Sequence, residues 1–229
     1  MSRHEVFLTG ATGFLGSSLA AELLRRGHSV RALVRSGSES RVTAGCEAVH
    51  GNALNAESYA GNIGSADTFV HLVGVAHPSP SKAEEFRKID LVSAREAVKA
   101  AKQAGIQHFV YLSVARPAPM MKAYQAVRAE GESSVVESGI AATFVRPWYV
   151  LGPGRSWPLA LQPFYALARA FPLTRDGANR LGLVTLDQMT QTLAFAVENP
   201  PADLQVFEPP EIKLGGRAPA SRPHAVETA

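Results

Sequence analysis

Residues 5–35 read EVFLTGATGFLGSSLAAELLRRGHSVRALVR, and the segment that decides the fold is TGATGFLG at residues 9–16. Gly10, Gly13 and Gly16 recur at every third position, directly after an apolar run. Glycine weakens a strand or helix by about 0.5–1 kcal/mol relative to alanine. Accepting that cost three times points to a backbone that must turn tightly and stay bare. A bound pyrophosphate asks for this: main-chain N–H donors and a helix N-terminus, with no side chain holding it away. Gly10 then serves the tight turn, Gly13 the close approach to phosphate, and Gly16 the packing of the new helix on the sheet. The bend from Thr9 to Leu15, including Thr12 and Phe14, would present the amides.

The surrounding sequence supplies the context this motif needs. EVFLT (5–9) reads as a buried strand, and FLGSSLAAELLRR (14–26) carries Leu15, Leu19 and Leu23 at helical spacing. Gly27 sits where a left-handed cap would end that helix. SVRALVR (29–35) is a second strand, completing a βαβ unit. The alternation continues, with strands expected at 47–51, 67–76, 107–114 and 141–147, and helices at 82–105 and 118–139. This pattern predicts an α/β fold, a Rossmann-type doubly wound parallel sheet with helices on both faces and a ligand crevice at the carboxyl ends of the strands. Residues 1–147 would form the dinucleotide-binding core. Residues 148–214 would form a small substrate lobe, with a loop and short helix after Pro147, a helix at 185–200 capped by Thr185 or Asp187, and an edge strand LQVFE. Residues 215–229 are poor in apolar residues and read as a disordered tail.

Composition narrows the function classes. The chain has 229 residues, 46% hydrophobic, with a formal net charge of +3 and no long basic run. Nucleic acid is therefore not an expected partner. No apolar run is long enough to cross a bilayer. No secretory leader opens the sequence, and the single Cys46 cannot form an internal disulfide. A cytoplasmic protein is expected. No His, Asp, Glu or Cys cluster has metal-ligand spacing, so no metal is expected. The absence of a G-x-S-x-G elbow argues against a hydrolase.

TGATGFLG resembles the T-G-x-x-G-x-x-G fingerprint of the short-chain dehydrogenase/reductase superfamily, in its extended and atypical branches. DTFVHLVG, FRKIDLVSAREAVKAAKQAGIQHFVYLSV and AYQAVRAEGESSVVESGIAATFVRPWYVLGPG resemble its later elements, so the likeness runs from residue 4 to about 208. It implies a nicotinamide dinucleotide, with Leu72, Val73 and Gly74 lining the ribose and adenosine and Pro147 beside the nicotinamide. It also places an adenine contact at Asn52, where the family commonly has an acid.

NAD-binding proteins usually close the second strand with an acid that holds the ribose 2′-hydroxyl. Here the strand ends in Val34 and Arg35. A guanidinium suits a 2′-phosphate, and Ser36 adds a donor, so NADP is expected over NAD. Arg31 lies too far toward the start of the strand. In the family a Tyr supplies the proton, a Lys four residues later lowers its pKa, and a Ser or Thr orients the carbonyl. The matching positions are Tyr124, Arg128 and Ser113, with Arg in place of Lys. A plainer alternative makes Tyr124 a packed aromatic and Arg128 a surface charge paired with Glu132. Trp148, Tyr149 and Trp157 could wall an apolar pocket or fill the core, and His77 reads as a solvated loop residue.

The expected activity is an NAD(P)-dependent oxidoreductase, or an epimerase/dehydratase relative, acting on a small carbonyl or alcohol substrate. The alternative is a non-catalytic dinucleotide sensor, favoured by Arg128. The short chain after Pro147 speaks against a large nucleotide-sugar substrate. A homodimer is possible, because many relatives associate through their fourth and fifth helices.

Overall fold

The computed structural model describes residues 3–153 and 181–217. Trp157 and the stretch 218–229 of the expected tail lie outside these residues. Seven strands form one parallel sheet: β1 (Glu5–Thr9), β2 (Ser29–Val34), β3 (Glu47–His50), β4 (Thr68–His71), β5 (His108–Leu112), β6 (Ala141–Val145) and β9 (Leu204–Phe207). Their order is β3-β2-β1-β4-β5-β6-β9. The chain winds outward from β1 in one direction, then from β4 in the other. The switch between β1 and β4 opens the crevice where such sheets bind ligands.

Alternation along β1 shows why both faces need covering. Val6 and Leu8 point into one cluster with Leu19 and Leu23 of α1 (Phe14–Arg25). Phe7 points into the other, with Phe69, Phe109 and Ala97. Phe69 stacks on Phe109 at 5.1 Å between ring centroids, and Phe7 lies 5.2 Å from Phe69. α5 (Leu186–Glu198) shares the α1 face through Leu193 and Ala194. α3 (Val92–Gln103) and α4 (Lys122–Ser138) cover the opposite face.

Several boundaries differ from expectation. β4 stops at His71, although the apolar run continues to residue 76. The helix expected over 82–105 is composite: α2 (Ala83–Glu85), a π-helical stretch Phe86–Leu91, then α3. α4 starts at Lys122 rather than 118, after Met121 in a left-handed conformation, φ 61°. Within the expected loop after Pro147, β7 (Tyr149–Leu151) pairs in parallel with β8 (Leu183–Thr185), forming a separate two-stranded sheet. Thr185 is the cap of α5, in a reciprocal capping box with Gln188. β9 occupies the expected edge, and a short α6 (Pro209–Lys213) follows it.

Candidate functional site

The glycine loop sits at the switch point. Gly10 has φ +78°, and a Cβ there would lie 2.9 Å from the Leu72 carbonyl carbon, where the chain leaves β4. Gly13 caps α1 with extended backbone and no side-chain hydrogen bond, and its amide donates to the Gly10 carbonyl at 3.0 Å. It is exposed. At Gly16 a Cβ would collide with the Gly10 carbonyl and lie 2.8 Å from the Ala11 Cα. The first turn of α1 has no acidic residue. A bare, positively polarised helix start therefore faces the crevice, the environment a pyrophosphate requires. Leu72 donates its amide to Thr9 at 3.2 Å, which keeps Leu72, Val73 and Gly74 against this loop.

On the β2 side, Arg35 and Ser36 are exposed just beyond Val34. The Arg31 guanidinium is engaged elsewhere, with Glu47 at 3.1 Å and the Asn62 carbonyl at 3.3 Å. Asn52 uses its side-chain oxygen to accept from the Leu54 amide at 3.0 Å, closing its own turn. Arg41, which sequence reasoning passed over, donates to the Thr12 carbonyl at 3.0 Å. It brings a guanidinium to the glycine loop. Its only signal in the sequence is a cation six residues after Arg35.

At the β5 exit, Ser113 donates its amide to Val145 at 2.8 Å, and Ala115 donates to the Pro147 carbonyl at 3.0 Å. The Ser113 hydroxyl is buried and without a hydrogen-bond partner among the described residues. Tyr124, half-buried on the first turn of α4, packs on Phe86 with centroids 5.0 Å apart. Lys122 is exposed.

Arg128 is not a surface charge and does not pair with Glu132. Its side chain is 3% exposed. It donates to the Leu112 carbonyl at 2.9 Å, the Val73 carbonyl at 3.4 Å and the Asp90 carboxylate at 2.7 Å. Its Cζ lies 5.2 Å from the Tyr124 ring centroid and 5.8 Å from that of Tyr111. Glu132 instead accepts from Arg116 and from Arg146, the latter also bound to Glu208. Both terminal nitrogens of Arg128 are thus engaged by the protein's own main chain and Asp90.

A buried polar chain runs beneath these groups. The Thr9 hydroxyl meets His71 Nδ1 at 2.8 Å, His71 Nε2 meets the Ser93 hydroxyl at 3.3 Å, and Ser93 donates to the Asp90 carbonyl at 3.1 Å. Desolvation, aided by the Arg128 charge, lowers the His71 pKa to about 3. Burial likewise lowers His108, bonded to the Thr143 hydroxyl at 2.9 Å, to about 4. The unfolded chain takes up these protons near 6.5, so stability should fall as pH drops from there toward the folded values. Melting temperatures at about pH 5 should therefore lie below those at about pH 7. His71→Gln, which cannot titrate, should flatten the decline. An undiminished decline would remove His71 as a source.

Comparison with known proteins settles what the glycine loop belongs to. Residues 10–155 match the model of a family described as NAD(P)H-binding. The chain belongs to that family. It is 30% identical over 218 residues to a ceramide reductase of Caulobacter vibrioides, covering 90% of this chain and 61% of that protein. It is 32% identical over 112 residues to a 3-beta-hydroxysteroid dehydrogenase of Mycolicibacterium neoaurum, covering 46% of this chain and 31% of that one. The chain thus spans less than two thirds of these relatives. Its fold is that of the Bordetella bronchiseptica enzyme WbmH in complex with NAD+, with TM-score 0.68 and 21% identity over 90% of this chain and 76% of that one. The short-chain dehydrogenase/reductase resemblance and the Rossmann-type architecture both hold. Among the described residues no helix is long and apolar enough to cross a membrane, and no group of acidic, His or Cys side chains could hold a metal.

Proposed function

We propose that this NAD(P)H-binding family member is an NADP-dependent oxidoreductase that interconverts a ketone and a secondary alcohol. The observation that carries this reading is the Ser113 hydroxyl, buried at the β5 exit without a hydrogen-bond partner among the described residues. A buried hydroxyl without a partner costs about 1–3 kcal/mol, a cost relieved when a ligand supplies the missing bond. A carbonyl or alcohol oxygen of the substrate is that ligand. Tyr124 is the proton donor or acceptor for the same oxygen, and the loop Gly10–Gly16 with Leu72, Val73 and Gly74 holds the dinucleotide. The cofactor supplies the hydride. Pro147 borders the nicotinamide end, and Arg128 contributes its charge rather than a bond to the ribose.

The relatives named as ceramide and steroid enzymes support an apolar substrate, as does the apolar stretch from Trp148 to Pro172. The test is turnover of NADPH with a long-chain keto-sphingoid base, a 3-ketosteroid and a short aliphatic ketone, followed by nicotinamide absorbance. Turnover with the first two is expected. Tight NADPH binding with no turnover in any of the three would favour a dinucleotide sensor instead, a reading that the engagement of Arg128 by its own main chain also supports.

Preference for NADP rests on Arg35, with Arg41 and Ser36 beside it. Charge-assisted hydrogen bonds contribute about 1.5–3 kcal/mol. Arg35→Ala should therefore weaken NADPH binding about 10- to 100-fold and leave NADH nearly unchanged. Arg41→Ala should act in the same direction. Equal losses for both cofactors would remove the 2′-phosphate assignment.

A further inference from the structure

Asp90 has no exposed surface, yet it carries a carboxylate. It lies in the π-helical stretch Phe86–Leu91, a rare backbone geometry found frequently at functional sites. Its two oxygens have separate partners, the Arg128 guanidinium at 2.7 Å and the Val75 amide at 3.0 Å. The Val75 amide belongs to the segment that follows the proposed cofactor contact at Gly74. A Cβ at Gly74 would lie 3.0 Å from the same carboxylate and would collide with the guanidinium. The pair therefore fills the space beside Gly74, with the Tyr124 ring centroid 5.2 Å from the guanidinium carbon.

We propose that Asp90 is a positioning residue of this site: it fixes the Arg128 guanidinium beside Tyr124 and partly cancels its charge, setting the positive field that the phenol meets. This rests on Tyr124 being the proton donor, although its test needs no substrate. A buried ion pair is a poor source of stability, since apolar residues of similar volume often do as well. The pair's place between the cofactor segment and Tyr124 gives it a task that apolar residues could not perform. A lysine would reach the crevice as a point charge, whereas the longer, forked arginine needs a fixed acceptor to hold its plane. Asp90 is that acceptor, and the carbonyls of Leu112 and Val73 complete the cradle.

The other groups around Arg128 leave Asp90 as the anionic partner in contact with it. On β4, His71 is neutral, its pKa lowered to about 3 by burial. On β5, Tyr111 is kept protonated, its pKa pushed up to about 12 by desolvation. On α4, Tyr124 itself faces the guanidinium, while Glu132 is engaged by Arg116 and Arg146. Phe86, across from Tyr124, is uncharged.

The experiment follows the phenolate absorbance step that Tyr124→Phe removes, in the intact chain without substrate. With Asp90→Asn, uncompensated Arg128 should move that step to lower pH by about one unit. The double variant Asp90→Asn, Arg128→Gln carries neither charge and should move it back up. Should Asp90→Asn fail to fold, Arg128→Gln compared with the double variant isolates the same carboxylate, and its step should lie at higher pH than the double variant's. A merely structural pair would change melting temperature and leave the step where it was, in either comparison, and that result would overturn the proposal. Absence of ketone turnover in the wild type would instead count against the proposed function alone.

Discussion

Gly16→Ala is expected to abolish dinucleotide binding and to lower stability by about 3 kcal/mol or more, the upper range for forcing extra volume into a packed site. The added methyl would meet main chain, not a side chain that can swing away. It would strike the Gly10 carbonyl and approach the Ala11 Cα to 2.8 Å. Relief requires α1 to back away from the loop, which withdraws the helix start from the phosphate position. Gly139→Ala is the informative control. Unlike Gly16, Gly139 has a left-handed backbone, φ +76°, and a Cβ there meets nothing within 4 Å. That substitution should cost about 1 kcal/mol of backbone strain and bind NADPH as the wild type does. Thermal melting and a fluorescence titration with NADPH measure both. Gly16→Ala with wild-type affinity would mean that the contact of helix and loop does not shape the binding site.

The same contrast between local and distant causes explains what the sequence disclosed. TGATGFLG was readable because Gly13 and Gly16 answer demands made within a few residues, while Gly10 also makes room for Leu72 of the distant β4 exit. β1, β2, β5 and β6 were readable because both faces of a parallel sheet are covered, so strands appear as apolar runs. Where an apolar run outlasts its strand, the reading overshoots: residues 72–76 continue the pattern of β4 but leave the sheet. β7 and β8 left no local signal, since each has three residues and, among the described residues, only the other as partner. α6, which begins with two prolines, was not anticipated from the sequence. Proline is admissible at a helix start, and Glu208 with Glu211 closes the cap.

Asp90 was legible in principle. Phe86, Asp90, Ala94 and Ala97 share one helical stripe, and all four are fully buried. A lone carboxylate on an apolar stripe demands a cationic partner. The partner, Arg128, is 38 residues away on another helix, so the pairing exists only in three dimensions. Reading Arg128 against Glu132 at i+4 followed the local rule, and tertiary contact overrode it.

Tyr124→Phe carries the second large expectation: a fall in kcat of about 10²–10⁴, the usual contribution of a positioned proton donor. The substitution removes one oxygen and leaves the ring in its place against Phe86 and beside Arg128. Because Tyr124 is only half-buried, stability should change by no more than about 0.5 kcal/mol. NADPH affinity should persist, since no part of the proposed cradle involves this side chain. KM for the ketone should change far less than kcat, because the lost interaction belongs to the step in which the oxygen takes its proton. Ser113→Ala is expected to differ in kind. It removes a hydroxyl that has no hydrogen-bond partner among the described residues, so stability should hold or rise while both kcat and KM worsen. If Tyr124→Phe turns over at the wild-type rate, the proton comes from elsewhere, and the crevice is left with a cofactor cradle and an orienting serine but no identified acid.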